Sequence, residues 1–419
     1  MLDRKTAPAF QKSNFFELIK PEKITLSNDI SLVIVPGGEQ EVIKIELIVK
    51  AAKWQETQAG VSYFTANLLQ KGTASKNSFQ ISSELDQYGV HLEVNPGYDF
   101  TSITLYGLTK NMDRFFGLLF EIVTQPSFPE LELQQAKDIY TQGLKINLEK
   151  TSYLASRQIR KTLFGFDHPY GRDAEIEDIE KIQREHLSAF HQHHYGNFEI
   201  ICSGKITDTL LQGLKKTFAA VRVSSAANTM VARKEELISS TYLEKENTVQ
   251  TSIRLGKRMI SRIHPDYPAL LLLNHILGGY FGSRLMKNIR EEKGLTYGIY
   301  SSMTALLHDG FISIGADVNK ENRELTIIEI KKELNNLRAQ KVGVTELETA
   351  KNHFIGSLQA EITTPFAHAD KIKNMLLYSL PDDYYQSLLI KIDSVNDSTL
   401  QGTAEKYFNE DSFSVVAVG

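Results

Sequence analysis

The segment His275–Ser302, HILGGYFGSRLMKNIREEKGLTYGIYSS, reads as a loop, a helix, a break and a strand. Gly278, Gly279 and Gly282 supply a pliable loop whose backbone can approach another chain closely. Ser283 is placed to cap a helix over Arg284–Lys293, with Leu285 and Ile289 four apart on one face. Gly294 suits the C-terminal cap, and Lys293 suits the negative end of the helix dipole. Leu295, Tyr297 and Ile299 then alternate as a strand does. The spacing puts Arg290 in the last helical turn and Tyr297 just beyond the break, so a guanidinium and a phenol can converge on one small polar group. A surface helix with solvated charges beside a half-buried tyrosine is the plainer reading of the Arg/Tyr pair alone.

Taken as a whole, the run Arg290, Glu291, Glu292, Gly294, Leu295 and Tyr297 resembles the second half of the M16 metallopeptidases, the family of insulinase, pitrilysin and the processing peptidases. The resemblance implies that Arg290 and Tyr297 help to hold a peptide substrate. It covers nearly the whole chain. It also implies two similar domains facing one another across a cleft, in the LuxS/MPP-like metallohydrolase fold.

The order of elements supports duplication. Strand-like runs open each half at Ser31–Val35 with Val42–Lys50, and at Thr248–Gly256. Helical patterns follow at Gly60–Gln70 and Ser78–Tyr88, matched by Pro268–Leu277 and Ser283–Lys293. Strand pairs come next, Val90–Val94 with Ser102–Leu108 and Leu295–Met303 with Phe311–Val318. Long amphipathic helices then run near Asn111–Thr124 and Arg323–Leu337. Ser127 to Glu130 and Thr345 to Glu348 read as capping boxes opening one more helix in each half. Each half closes on a short apolar strand ending in glycine, Phe198–Gly204 and Phe413–Gly419. The halves are offset by roughly 210 residues throughout, as a repeat would be. The fold class expected is α+β: two homologous domains, each a mostly antiparallel sheet with helices on one face. The domains are expected at 1–225 and 240–419, joined by a polar linker over Val221–Ser240.

Gly60–Thr73, GVSYFTANLLQKGT, presents Val61, Phe64 and Leu68 on one helical face. It is similar to the M16 catalytic helix, in which H-x-x-E-H precedes a K-G-T ending. Two histidines four apart share a helical face and can hold one zinc, while the glutamate activates the metal-bound water. Lys71, Gly72 and Thr73 match that ending, but Tyr63 and Asn67 stand where the histidines would be and Ala66 stands where the glutamate would be. The family's third ligand, a glutamate, falls near Gln142, Gly143 and Leu144; Gly143 has no side chain to offer. By this comparison the chain binds no zinc and has no hydrolytic base. In the following strand Glu93-Val94 replaces a frequent Asn-Ala near the substrate-receiving edge, which weakens the case for peptide binding there, although added-strand pairing uses backbone groups.

The resemblance therefore implies the non-catalytic, substrate-binding subunit of a heterodimeric zinc peptidase acting on peptides. Its partner would be an M16 chain with intact H-x-x-E-H that carries the zinc. The alternative is an inactive homologue serving as a scaffold or peptide-binding protein.

Composition narrows other classes. The chain has 419 residues, 42% hydrophobic and 23% charged, with net charge -4; this is ordinary for a globular protein and offers no bulk positive charge for nucleic acid. The single cysteine, Cys202, excludes an internal disulfide and reads as a buried thiol after Phe198. The start, MLDRKTAPAFQKSNFF, has no apolar signal core, and no stretch is long and apolar enough for a membrane span. The expected compartment is the cytoplasm, or the periplasm if a leader has been trimmed. His191, His193 and His194 read as a solvated helix end, and His264, His275, His308, His353 and His368 are scattered without ligand spacing.

Overall fold

The computed structural model describes residues 17–221 and 238–419. Most of the linker expected over Val221–Ser240 lies outside the described residues. The strands are β1 (Glu22–Thr25), β2 (Ser31–Pro36), β3 (Val42–Val49), β4 (His91–Pro96), β5 (Thr101–Leu108), β6 (Phe198–Gly204), β7 (Ser240–Leu243), β8 (Gln250–Arg258), β9 (Ile299–Ala305), β10 (Gly310–Asn319) and β11 (Ser414–Val418). They form a six-stranded sheet in the order β1-β2-β6-β3-β5-β4 and a five-stranded sheet in the order β7-β11-β8-β10-β9. Among the described residues only the β2–β6 and β7–β11 pairs are parallel; the other strand pairs are antiparallel. The fold is α+β, as expected.

Strand periodicity explains how the layers stack. In β3, Ile43, Ile45, Leu47 and Val49 point into the core of the first half, while Ile48 on the opposite face joins the core of the second. Helices were expected on one face of each sheet, but here both faces are covered, because each half lends a helix to the other. Helix Pro365–Leu377 lies on β2 and β6, burying Ile372 and Met375 in the same cluster as Val33, Val35 and Ile201. Its polar side pairs Lys373 with Glu46 at 2.8 Å and Asp370 with Lys44 at 2.9 Å. Reciprocally, helix Thr151–Phe164 lies on β8 and β11, packing Ile159, Leu163 and Phe164 against Val416 and Val418. Burying each such large side chain contributes about 1.5–3 kcal/mol. Gly256 admits this helix: a Cβ there would lie 2.7 Å from Ile159 Cγ1.

Local expectations fail where backbone details decide. The helix expected near Asn111–Thr124 is broken into Thr109–Met112, a 3-10 turn Asp113–Phe115 and Phe116–Thr124. Neither expected capping box forms: helix Glu130–Leu148 starts after Pro129 and helix Val344–Glu361 after Gly343, both without a side-chain cap. The strand expected from Leu295 begins only at Ile299. Among the described residues no helix is long and apolar enough to cross a membrane.

Candidate functional site

Helix Val61–Leu68 turns Val61, Phe64 and Leu68 into the core and leaves Tyr63 on its outer side. Asn67, one turn on, donates from Nδ2 to the Tyr63 carbonyl at 2.8 Å. Ala66 is fully buried and carries nothing that could move a proton. Tyr63 meets Tyr140 of helix Glu130–Leu148 edge to face, with ring centroids 4.7 Å apart. Burial pushes the Tyr140 phenol up to about 12, so it stays protonated at neutral pH. Gly143 sits a turn further along, with no atom within 4 Å of where its Cβ would be. A phenol, an amide, a methyl and a missing side chain do not fit zinc, which takes imidazole, thiolate and carboxylate ligands. Among the described residues no three His, Cys, Asp or Glu side chains are grouped to hold a metal ion.

The second expected site surrounds the break at Gly294. The helix is wound as a π-helix over Met286–Glu292, a widening that recurs at functional positions. Ser283 does not cap it; its hydroxyl is buried with no hydrogen-bond partner among the described residues. Gly294 takes the left-handed conformation at φ 64°, and Leu295 N–H closes the end on the Ile289 carbonyl at 3.0 Å. Asn288 Nδ2 anchors the helix through Glu329 Oε2 at 3.0 Å and Glu333 Oε1 at 2.7 Å. Arg290 is half-buried, its guanidinium 4.7 Å from the centre of the Phe281 ring. Among the described residues no carboxylate pairs with it. Tyr297 is 96% exposed and lies in the connection before β9 rather than in a strand. Thr296 holds that connection by donating to the Asp317 carbonyl at 2.7 Å. No hydrogen bond joins Arg290 to Tyr297, so both groups remain available to a third. β9, which follows, and β4, which carries Glu93 and Val94, are the outer strands of their sheets.

Sequence spacing missed what long-range packing assembles. Lys53 Nζ donates to Asp173 Oδ1 at 2.9 Å, and Asp173 Oδ2 also accepts from Arg157 at 3.3 Å and Arg160 at 2.8 Å. Burial pushes Asp173 up, but Lys53 and Arg160 outweigh it and hold the carboxyl below its usual range. Burial lowers the Lys53 ammonium, with Asp173 opposing. Burial raises Glu56, opposed by hydrogen bonds from Ser62. Partners 120 residues apart, such as Lys53 and Asp173, leave no local pattern.

The histidines also depart from expectation. His191 is buried, not solvated: its Nε2 lies 2.7 Å from the Val123 carbonyl and its ring stacks on Tyr195. His275 and His353 are not scattered but adjacent, Nε2 to Nδ1 at 3.1 Å. Cys202 is buried, as read from its apolar run.

Two family models match the chain, one described as insulinase (peptidase family M16) over residues 36–168 and one as the peptidase M16 inactive domain over residues 181–354. A Bacillus subtilis protein named as the uncharacterized zinc protease YmxG is 22% identical, over 93% of this chain and 96% of its own length. A Helicobacter pylori protein named as the non-peptidase homolog YmxG is 26% identical, over 86% of this chain and 85% of its own. A solved Pseudomonas fluorescens structure, described as a peptidase M16 inactive domain, superposes with TM-score 0.87 and 26% identity, covering 95% of this chain and 98% of that one.

Proposed function

The chain belongs to the M16 peptidase family, and from that premise we propose that it is the non-catalytic, substrate-binding subunit of a heterodimeric M16 zinc peptidase. The observation that carries this reading is the contrast between its two sites. The zinc positions hold Tyr63, Ala66, Asn67 and Gly143, whereas Arg290 has no carboxylate partner among the described residues and the Tyr297 phenol stands in solvent beside an anchored helix end. Zinc and its base come from a partner with H-x-x-E-H. Arg290 binds a peptide carbonyl or carboxylate through charge-assisted hydrogen bonds. The Tyr297 phenol donates to the oxyanion as it forms. The substrate is a peptide, and the outer strands β4 and β9 offer it backbone pairing. The two halves are the domains 1–225 and 240–419.

A second reading, an inactive M16 homologue that serves as a scaffold or peptide-binding protein, is favoured by the Helicobacter relative's name as a non-peptidase homolog. Mixing this chain with a candidate H-x-x-E-H partner separates the two. Peptidase activity in the mixture alone supports the subunit, and assembly without any gain of activity supports the scaffold.

A further inference from the structure

Beside Tyr63 lies an open cavity of about 210 Å³, bordered by helix Val61–Leu68, the end of β4 at Pro96 and the segment at Asp173–Ala174. Tyr63, Tyr98 and Tyr140 line it together with Lys53 and the carboxylates Glu56 and Asp173. None of the three phenol hydroxyls bonds to another described residue, so all three remain able to donate. Lys53 commits one ammonium proton to Asp173 and holds its charge over the Tyr98 ring at 5.1 Å.

Asp173 and one oxygen of Glu56 are already engaged, and Glu56 Oε2 lies 3.7 Å from Arg172 Nη2. Asp173 takes hydrogen bonds from Lys53, Arg157 and Arg160. Glu56 Oε1 takes two from Ser62, at 2.9 and 2.6 Å. Donors are in surplus: Arg160 Nε and Arg172 Nε are buried without partners among the described residues. The charges lean the same way, since five cations (Lys53, Arg157, Arg160, Lys161 and Arg172) are linked to three carboxylates, Glu56, Asp173 and Glu175. A cationic guest would meet that excess positive charge, and an apolar guest would leave the hydroxyls unsatisfied. An acceptor-only anion with two oxygens answers both.

We infer that this cavity, built where the family's metal would lie, binds a carboxylate of the peptide, through the hydroxyls of Tyr63, Tyr98 and Tyr140 and the ammonium of Lys53. The carboxylate is either the peptide's C-terminus or an Asp or Glu side chain. The inference rests on the peptide-binding reading above and gives that site a chemical preference.

Three probes test it on the intact chain by saturation-transfer NMR and titration: N-acetyl-Ala-Ala-Ala with a free C-terminus, its C-terminal amide, and the amide of N-acetyl-Ala-Glu-Ala. Charge-assisted hydrogen bonds favour at least one carboxylate probe by about tenfold or more over the neutral amide. Which of the two is preferred identifies the source of the carboxylate. The double variant Tyr63→Phe/Tyr140→Phe removes hydroxyls that bond to no described residue, so it keeps the thermal midpoint and loses the preference. Lys53→Gln loses it as well. Equal binding of all three probes, or a preference that survives the tyrosine variant, overturns the carboxylate site and leaves peptide binding standing. No binding of any probe overturns both.

Discussion

Asn67 spends its side-chain amide on its own helix, donating from Nδ2 to the Tyr63 carbonyl at 2.8 Å. In the resembling enzymes these two positions carry the imidazoles that meet at a metal. Here one residue satisfies the other's backbone, a local i to i−4 bond, and the remaining phenol packs on Tyr140. The helix keeps its packing face through Val61, Phe64 and Leu68, so the scaffold survives without the ligands.

That scaffold makes the lost site rebuildable. Tyr63→His, Ala66→Glu and Asn67→His restore the helix motif but supply only two of three ligands. Adding Gly143→Glu completes the set, and nothing within 4 Å obstructs a Cβ there. The fourfold variant is expected to retain about one zinc per chain through dialysis, and the threefold variant to retain far less, as metal analysis would show. A fourfold variant free of zinc would mean that the two helices are not disposed as the resemblance implies.

The exchanged helices predict energetic coupling between the halves. Gly256→Ala places a methyl 2.7 Å from Ile159 Cγ1 and 3.1 Å from Leu163 Cδ1, an overpacking expected to cost about 1–3 kcal/mol. Ile159→Ala alone costs about 2–5 kcal/mol. Combined, the two should cost less than their sum, because the truncation makes room for the methyl. Denaturant unfolding of the four proteins of the cycle checks this, and strict additivity would contradict the seating of helix Thr151–Phe164 on β8.

Much of this was legible because it is local. The alternation in β3 and the glycine after Lys293 fixed a strand and a helix end, and Gly294 does take a positive φ. Tyr63, Ala66 and Asn67 could be read as a vacated metal motif because that motif lies on one helix turn. The helix exchange could not be read: Ile159 and Gly256 meet across 97 residues with no pattern in either segment. The Lys53–Asp173 pair and the His275–His353 contact were hidden for the same reason. Tyr297 was read into a strand because apolar residues flank it, but the left-handed turn at Gly294 and the bond from Thr296 to Asp317 delay β9 to Ile299.

His275 predicts a pH dependence. Burial, and then neighbouring His353, lower its pKa from 6.5 to about 4. Between those values the unfolded chain binds a proton that the native protein refuses, so stability is complete above about pH 6.5 and declines as pH falls towards 4, by at most about 3 kcal/mol. His191, also lowered by burial, acts in the same direction. His275→Gln is expected to flatten the decline in denaturation midpoints measured from pH 7 to pH 4. A slope identical to that of the parent protein would remove His275 from the account.

Cys202 predicts chemical silence. It is fully buried and its thiol is pushed up to about 12 by burial, so almost no thiolate exists at pH 8. A disulfide-exchange reagent should leave the native protein unlabelled and label one thiol per chain in denaturant. Rapid labelling of the native protein would show that β6 opens readily.

The division of labour itself is tested by turnover of the reconstituted pair with Tyr297→Phe in this chain. The account predicts no peptidase activity and no stoichiometric zinc in this chain alone, and activity with an H-x-x-E-H partner. Replacing the phenol should then cost about 10²–10³ in turnover while assembly is unchanged, the usual effect of removing one oxyanion donor. Zinc held by this chain alone together with peptide hydrolysis, or a pair whose turnover ignores the loss of the Tyr297 hydroxyl, would contradict it.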